Sequence, residues 1–161
     1  MSMEQIVTLN HKSKNLDLTD KYLFALLFSD GFTSRLLSAQ YTIDWNYNYT
    51  LEMESFECRN NKIPAYLESG RISDDIHGFL EQLIESDYNS IATLYIYDNL
   101  FVNDIGSQNY FLNFDAETIN ITILNGVDRS KFKTQPEVLL FNFNQYLTKM
   151  IEEKYNIWRK D

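Results

Sequence analysis

The chain has 161 residues, 44% of them apolar and 15% aromatic, with a formal net charge of −9. That is enough apolar material for one packed core, so the expectation is a single α+β domain over residues 1–161, neither disordered nor collagen-like. With five Gly and two Pro there is little material for phosphate-cradling loops, and no Walker loop, dinucleotide-binding Gly turn or nucleophile elbow occurs.

The first ten residues contain Glu4 and lack a basic segment followed by an apolar one, so they do not read as a secretory signal. The longest apolar run, Tyr22 to Phe28, is far shorter than a membrane span. The single Cys58 makes no internal disulfide and fits a reducing, cytoplasmic setting. Asn48-Tyr49-Thr50 and Asn120-Ile121-Thr122 match the glycosylation pattern, which has no meaning in that setting.

In chain order, Gln5 to Leu9 is expected to form a short strand. Asp17 or Thr19 can cap a first helix running to Phe28, with Tyr22, Leu23, Leu26 and Leu27 as its stripe. Thr33 to Gln40 reads as a second short helical turn. From Ile43 to Glu54, apolar and polar side chains alternate at every position, the period of a strand with one buried and one wet face. As one strand it would run roughly 40 Å, with an extension to Cys58 also allowed. Asp44, Glu52 and Glu54 share its wet face with Asn46, Asn48 and Thr50.

Arg59 to Lys62 then forms a turn, and Ile63 to Leu67 a second strand that Pro64 places at an edge. Ser73 is a good N-cap, followed by Asp74 and Asp75 in the first turn, where carboxylates favour the helix dipole. Ile76, Phe79, Leu80, Leu83 and Ile84 recur at helical spacing, leaving Asp74, Gly78, Glu81 and Glu85 facing water. Ile91 to Tyr97, apolar on both sides, reads as a central strand. Asn109 to Phe114 and Thr118 to Leu124 read as a hairpin across Asp115, Ala116 and Glu117. Thr134-Gln135-Pro136-Glu137 is a capping box with proline in the first turn of a last helix. Leu139, Leu140, Phe143, Tyr146, Leu147, Met150 and Trp158 gather on one side of that helix. Phe141 falls nearly opposite and needs a cover, from this chain or from a partner. The order implies an α+β fold, a largely antiparallel sheet of about five strands with helices packed against it.

Candidate chemistry is sparse. His77 lies three and four residues from Asp74 and Glu81, a spacing that can bring metal ligands together on a helix, but it is equally that of an ordinary helix surface. His11 sits in a polar loop. Neither Cys58 nor any Ser stands in a nucleophile signature. The carboxylate pairs Glu52/Glu54 and Asp98/Asp104 lack the Trp platforms and Gly-rich loops of a glycosidase cleft. The expectation is therefore no catalytic residue, no metal and no cofactor.

The charge is uneven. Residues 44–125 hold fourteen acids against Arg59, Lys62 and Arg71, a net of −11, while the segments before and after are neutral and mildly basic. Such a chain repels nucleic acid, which needs a positive stripe, and suits a basic protein partner, whose encounter a negative face accelerates. In general type the composition is similar to small acidic toxin inhibitors, although no motif ties it to a named family. The expectation is a non-enzymatic bacterial immunity protein that occludes the cationic site of a toxin, for instance a nuclease. Either Asp44, Glu52 and Glu54 on the strand, or Asp74, Glu81 and Glu85 on the helix, would meet the partner. Alternatives are a small-ligand or enzymatic α+β domain with an aromatic pocket, and an inhibitor that mimics nucleic acid. No membrane contact is expected, and the oligomeric state stays open.

Overall fold

The computed structural model describes residues 5–12, 14–31, 36–59, 63–96 and 105–159. A small hairpin of β1 (Val7–Leu9) and β2 (Leu16–Leu18) precedes the main body. The main sheet contains β3 (Tyr22–Gly31), β4 (Leu36–Asp44), β5 (Asn48–Ser55), β6 (Tyr66–Arg71), β7 (Leu94–Tyr95), β8 (Ile105–Leu112) and β9 (Ile119–Leu124). Their spatial order is β6-β5-β4-β3-β8-β9-β7, antiparallel throughout except for the β7–β9 pair. The helices are α1 (Phe56–Arg59), α2 (Asp74–Glu85) and α3 (Gln135–Trp158), with short 3-10 turns at Tyr88–Ser90 and Arg129–Lys131. The fold is thus α+β, as expected, with a sheet of seven strands rather than about five.

Both long helices cover one face of the sheet. Phe24 and Leu26 of β3, Tyr41 and Ile43 of β4, Leu51 and Met53 of β5, Tyr110 and Leu112 of β8 and Ile121 of β9 point inward. They meet Ile76, Leu80 and Leu83 of α2 and Leu140, Phe143, Leu147 and Ile151 of α3. Phe143 lies at the middle, its ring 5.4 Å from that of Phe24 and stacked on Phe79 at 5.1 Å. The opposite face is covered only in part: Ile6 and Leu18 of the small hairpin close over Tyr22, Ala25 and Phe111. Over β4 and β5 that face is polar, as the alternation requires.

Several expected elements differ. The segment expected as a helix from Asp17 or Thr19 to Phe28 is strand β2, a corner, and most of β3. Phe24, Ala25 and Leu26 are all fully buried, because β3 is central and covered on both faces. A short all-apolar run of this kind carries no period to separate strand from helix. The helical turn expected over Thr33–Gln40 is β4 from Leu36 onward, and residues 32–35 lie outside the described residues.

The alternating stretch Ile43–Glu54 is not one strand but a hairpin, with β4 ending at Asp44 and β5 starting at Asn48. Asp44 Oδ1 accepts from the backbone N–H groups of Asn46 (2.9 Å) and Asn48 (3.0 Å). The Tyr47 N–H closes the turn on the Asp44 carbonyl at 3.0 Å, and Tyr47 adopts φ 63°. This is a three-residue hairpin loop with its last residue left-handed. Its register pairs Ile43 with Tyr49 and Thr42 with Thr50, so odd positions face odd positions and the alternation runs through the turn unbroken.

Strand β5 stops at Ser55 and turns into α1 rather than reaching Cys58 as a strand. The turn expected over Arg59–Lys62 falls at the end of α1, with residues 60–62 outside the described residues. The strand expected over Ile63–Leu67 is β6, three residues later, at the sheet edge that Pro64 implied. Ile91–Tyr97 yields only β7, two residues at the other edge instead of a central strand, and Tyr97 lies outside the described residues. The β8–β9 hairpin has a longer connection than expected, Asn113 to Thr118.

Helices α2 and α3 match their sequence signals. Ser73 Oγ accepts from the Ile76 N–H at 3.3 Å, and Thr134 and Glu137 form the reciprocal capping box. Glu137 is buried, and its carboxylate accepts the Tyr95 hydroxyl at 2.5 Å, so the start of α3 is fixed to β7. Burial pushes the Glu137 carboxyl up, but the Tyr95 hydroxyl and the donors of the cap outweigh it and hold it below the usual range. Phe141 is half-buried, partly covered by its own chain, with the Phe132 ring 5.0 Å away.

Candidate functional site: an acidic cleft at the loop end of the sheet

Three connections meet at one end of the strands. Asn113, at the start of the β8–β9 loop, donates through its side-chain amide to the carbonyls of Leu18 (3.2 Å), Thr19 (3.2 Å) and Tyr22 (2.9 Å). Thr118, at the far end of the same loop, donates to Asn113 Oδ1 at 2.5 Å and accepts from the Leu18 N–H at 3.0 Å. These bonds fasten the β2–β3 corner to the β8–β9 loop. The β4–β5 turn joins them through Trp45, whose indole N–H donates to the Asp20 carbonyl at 2.8 Å.

The result is a cleft of about 440 Å³ bordered by Asp17, Asp20, Asp115, Glu117 and Trp45. Asp17 accepts from the Asn10 amide at 2.9 Å, and Asp115 accepts from the Tyr88 hydroxyl at 3.2 Å. Asp20, Asp115 and Glu117 are exposed. Trp45 is 52% exposed although its indole N–H is satisfied, so the ring is held in place with its apolar surface in water. Large aromatics fixed in this way contribute strongly to binding because little side-chain entropy is lost when they are covered.

A second, smaller groove adjoins it on the open sheet face, lined by Lys21, Gln40, Thr42, Asp44, Glu52 and Leu67. Asp20 with Lys21, and Asp44 with Trp45, are consecutive residues that carry the surface from one depression to the other.

The strand set of expected contact residues therefore divides. Asp44 lies on this surface with its Oδ1 engaged by the turn, Glu52 lines the groove but is only 9% exposed, and Glu54 is half-buried further along β5. The helix set is on the other side of the molecule. Asp74, Glu81 and Glu85 are exposed on α2, whose buried stripe packs on the inner sheet face. The two sets therefore cannot meet one partner surface together. Asp17, Asp20, Asp115 and Glu117 were missed as site residues, because they come from two separate connections and no local spacing joins them; Trp45, which the alternation puts on the buried face, is instead exposed because it lies in the β4–β5 turn.

Among the described residues, no group of three His, Cys, Asp or Glu side chains is arranged to hold a metal ion. His77 instead lies 3.4 Å from Glu81, with its ring edge-on to Tyr47 at 4.8 Å. Cys58 Sγ lies 3.6 Å from Ser55 Oγ and 3.5 Å from the Pro64 carbonyl. Asp98 and Asp104 lie outside the described residues.

A further ionisable cluster sits on the inner side of the β6 edge. Glu68 accepts from the Tyr49 and Tyr66 hydroxyls at 2.6 Å each and from Lys154 Nζ of α3 at 2.8 Å. Burial pushes the Glu68 carboxyl up, but Lys154, Tyr49 and Tyr66 outweigh it and hold it at about 2. Burial, followed by the bond to Glu68, pushes both Tyr49 and Tyr66 up to about 12. With Glu68 held at about 2 and Tyr49 and Tyr66 at about 12, none of these three changes protonation near neutral pH, and the cluster reads as a fastening of α3 to the edge strand.

No family model matches the sequence, and comparison with curated proteins finds no relative. No described helix is long and apolar enough to cross a membrane.

Proposed function

We propose that this chain is a protein-binding inhibitor of the bacterial immunity type, docking a basic toxin domain through the loop end of its sheet. The observation that carries the reading is the half-exposed, hydrogen-bonded Trp45 beside a cleft edged by Asp17, Asp20, Asp115 and Glu117. An inhibitor of a cationic enzyme needs a rigid scaffold, an aromatic anchor and carboxylates placed to meet Lys and Arg. The Asn113 and Thr118 bonds supply rigidity where the connections meet. The strand set of acids extends the same surface, so it is favoured over the helix set.

Co-expression with the product of the neighbouring gene tests this. A basic protein whose toxicity is suppressed, and which co-purifies in a complex that weakens as salt rises, is the expected result. Trp45→Ala should weaken that complex about 30-fold, the effect of losing a ~2 kcal/mol anchor. Protection that survives Trp45→Ala combined with Asp17→Asn, Asp20→Asn, Asp115→Asn and Glu117→Gln refutes the site. Failure to protect against any neighbouring product, together with turnover of a small molecule, refutes the function.

A further inference from the structure

The inner sheet face is apolar along β3, β4 and β5, but it changes character at the start of β8. Gln108 is only 3% exposed there, and Asn144 of α3, 8% exposed, faces it. The Tyr110 hydroxyl donates to Asn144 Oδ1 at 2.6 Å, Asn144 Nδ2 donates to Gln108 Oε1 at 3.1 Å, and Gln108 Nε2 donates to Asn125 Oδ1. A pair of leucines would fill this space without removing two amides from water, and buried amides are tolerated only when bonded. The chain of amides therefore asks for a use beyond packing.

It ends in a cleft of about 490 Å³ between α3 and the ends of β3, β8 and β9, bordered by Gln108, Asn125, Asn144, Phe141, Lys149 and Glu152. Each carboxamide has two N–H donors and an oxygen with two lone pairs. Gln108 and Asn144 each commit one N–H to the next amide in the chain, so donors and acceptors remain side by side. A ligand suited to such a wall presents donor and acceptor together on one edge, as adenine and the lactam bases do to Asn and Gln. Half-buried Phe141 supplies an aromatic surface, and every base has a π face to lay on one. Lys149 and Glu152 carry opposite charges, and the chain as a whole is at −9, so the cleft favours a neutral ligand over a phosphate.

We propose that this cleft binds a neutral planar heterocycle of the nucleobase or nucleoside class, read by the Gln108, Asn125 and Asn144 amides. It lies at the opposite end of the strands from the acidic cleft and on the helix side of the sheet, and it does not rest on the inhibitor reading.

The test is a titration of the ¹⁵N-labelled full chain with adenosine and with uridine to millimolar concentration, alongside inorganic phosphate, following the side-chain NH₂ signals. The expected result is a saturable shift of the Gln108, Asn125 and Asn144 signals with at least one nucleoside and none with phosphate. Asn125→Ala, at the mouth of the cleft, should weaken binding about tenfold, the effect of one lost hydrogen bond, while Lys149→Ala leaves it within about twofold. The absence of a saturable shift with either nucleoside overturns the proposal. So does a response to phosphate, or nucleoside binding unchanged in Asn125→Ala.

Discussion

Replacing Glu68 by glutamine removes a charge that three donors hold in place, and its effect on stability should depend on pH with a defined sign. The folded-state carboxyl titrates at about 2 against an ordinary 4.5. Its contribution is therefore fully present above pH 4.5 and is lost as pH falls toward 2. At ~1.4 kcal/mol for each pH unit, the depression sets an upper limit of ~3.5 kcal/mol. The side chain keeps 26% of its exposure, and with the solvent screening this allows, about 1–2 kcal/mol is the expected contribution. Urea denaturation of the wild type and Glu68→Gln should differ by that amount at pH 7, with the gap narrowing steadily below pH 4.5. Tyr49 and Tyr66, pushed up to about 12, stay protonated throughout this range and add no slope of their own. A gap that is constant from pH 7 to pH 2.5 refutes the reasoning, since the loss would then be one of packing. A wild type that gains stability on acidification relative to the variant refutes it as well.

Thr134→Ala removes the N-cap of α3 and should lower stability by about 1 kcal/mol, read as a shift in the urea midpoint at unchanged slope. Phe143→Ala, at the centre of the core, should lower it by about 3–5 kcal/mol by the same measurement. Lys14 is exposed in the turn between β1 and β2 at φ 64°, so Lys14→Gly should raise stability by about 0.5–1 kcal/mol, seen as a higher Tm.

The two long helices, α2 and α3, were legible because their signals are local. The Ser73 cap with its acidic first turn, and the Thr134–Glu137 box followed by a long apolar stripe, each lie within a few residues of the boundary they specify. The strands were less so, for two different reasons. In β3 the run from Tyr22 to Phe28 is apolar on both sides, because the helices cover one face and the small hairpin the other, and such a run has no period to read. In Ile43–Glu54 the period is present but does not show the turn, since a loop that pairs Ile43 with Tyr49 preserves the alternation. Length was the remaining clue: a strand of roughly 40 Å is about twice the usual span. The acidic cleft could not be read at all. Asp17, Trp45 and Glu117 are brought together by the Asn113 and Thr118 side chains and by a single indole bond, and these follow from tertiary structure alone.

The position of β3 bears on how the chain is made. It is hydrogen-bonded on one side to β4, which follows it at once, and on the other to β8, which begins only at Ile105. Strands β3 to β6 can zip together as they leave the ribosome, yet after α2 their apolar inner side still waits for α3, which follows every described strand in the sequence. During that interval the nascent chain carries a sheet that only α2 covers, with one edge of β3 open, an arrangement prone to pairing with a neighbour. Slow translation between β6 and α3 would prolong that exposure, and the yield of native protein should depend on ribosome-associated chaperones more than its modest size suggests.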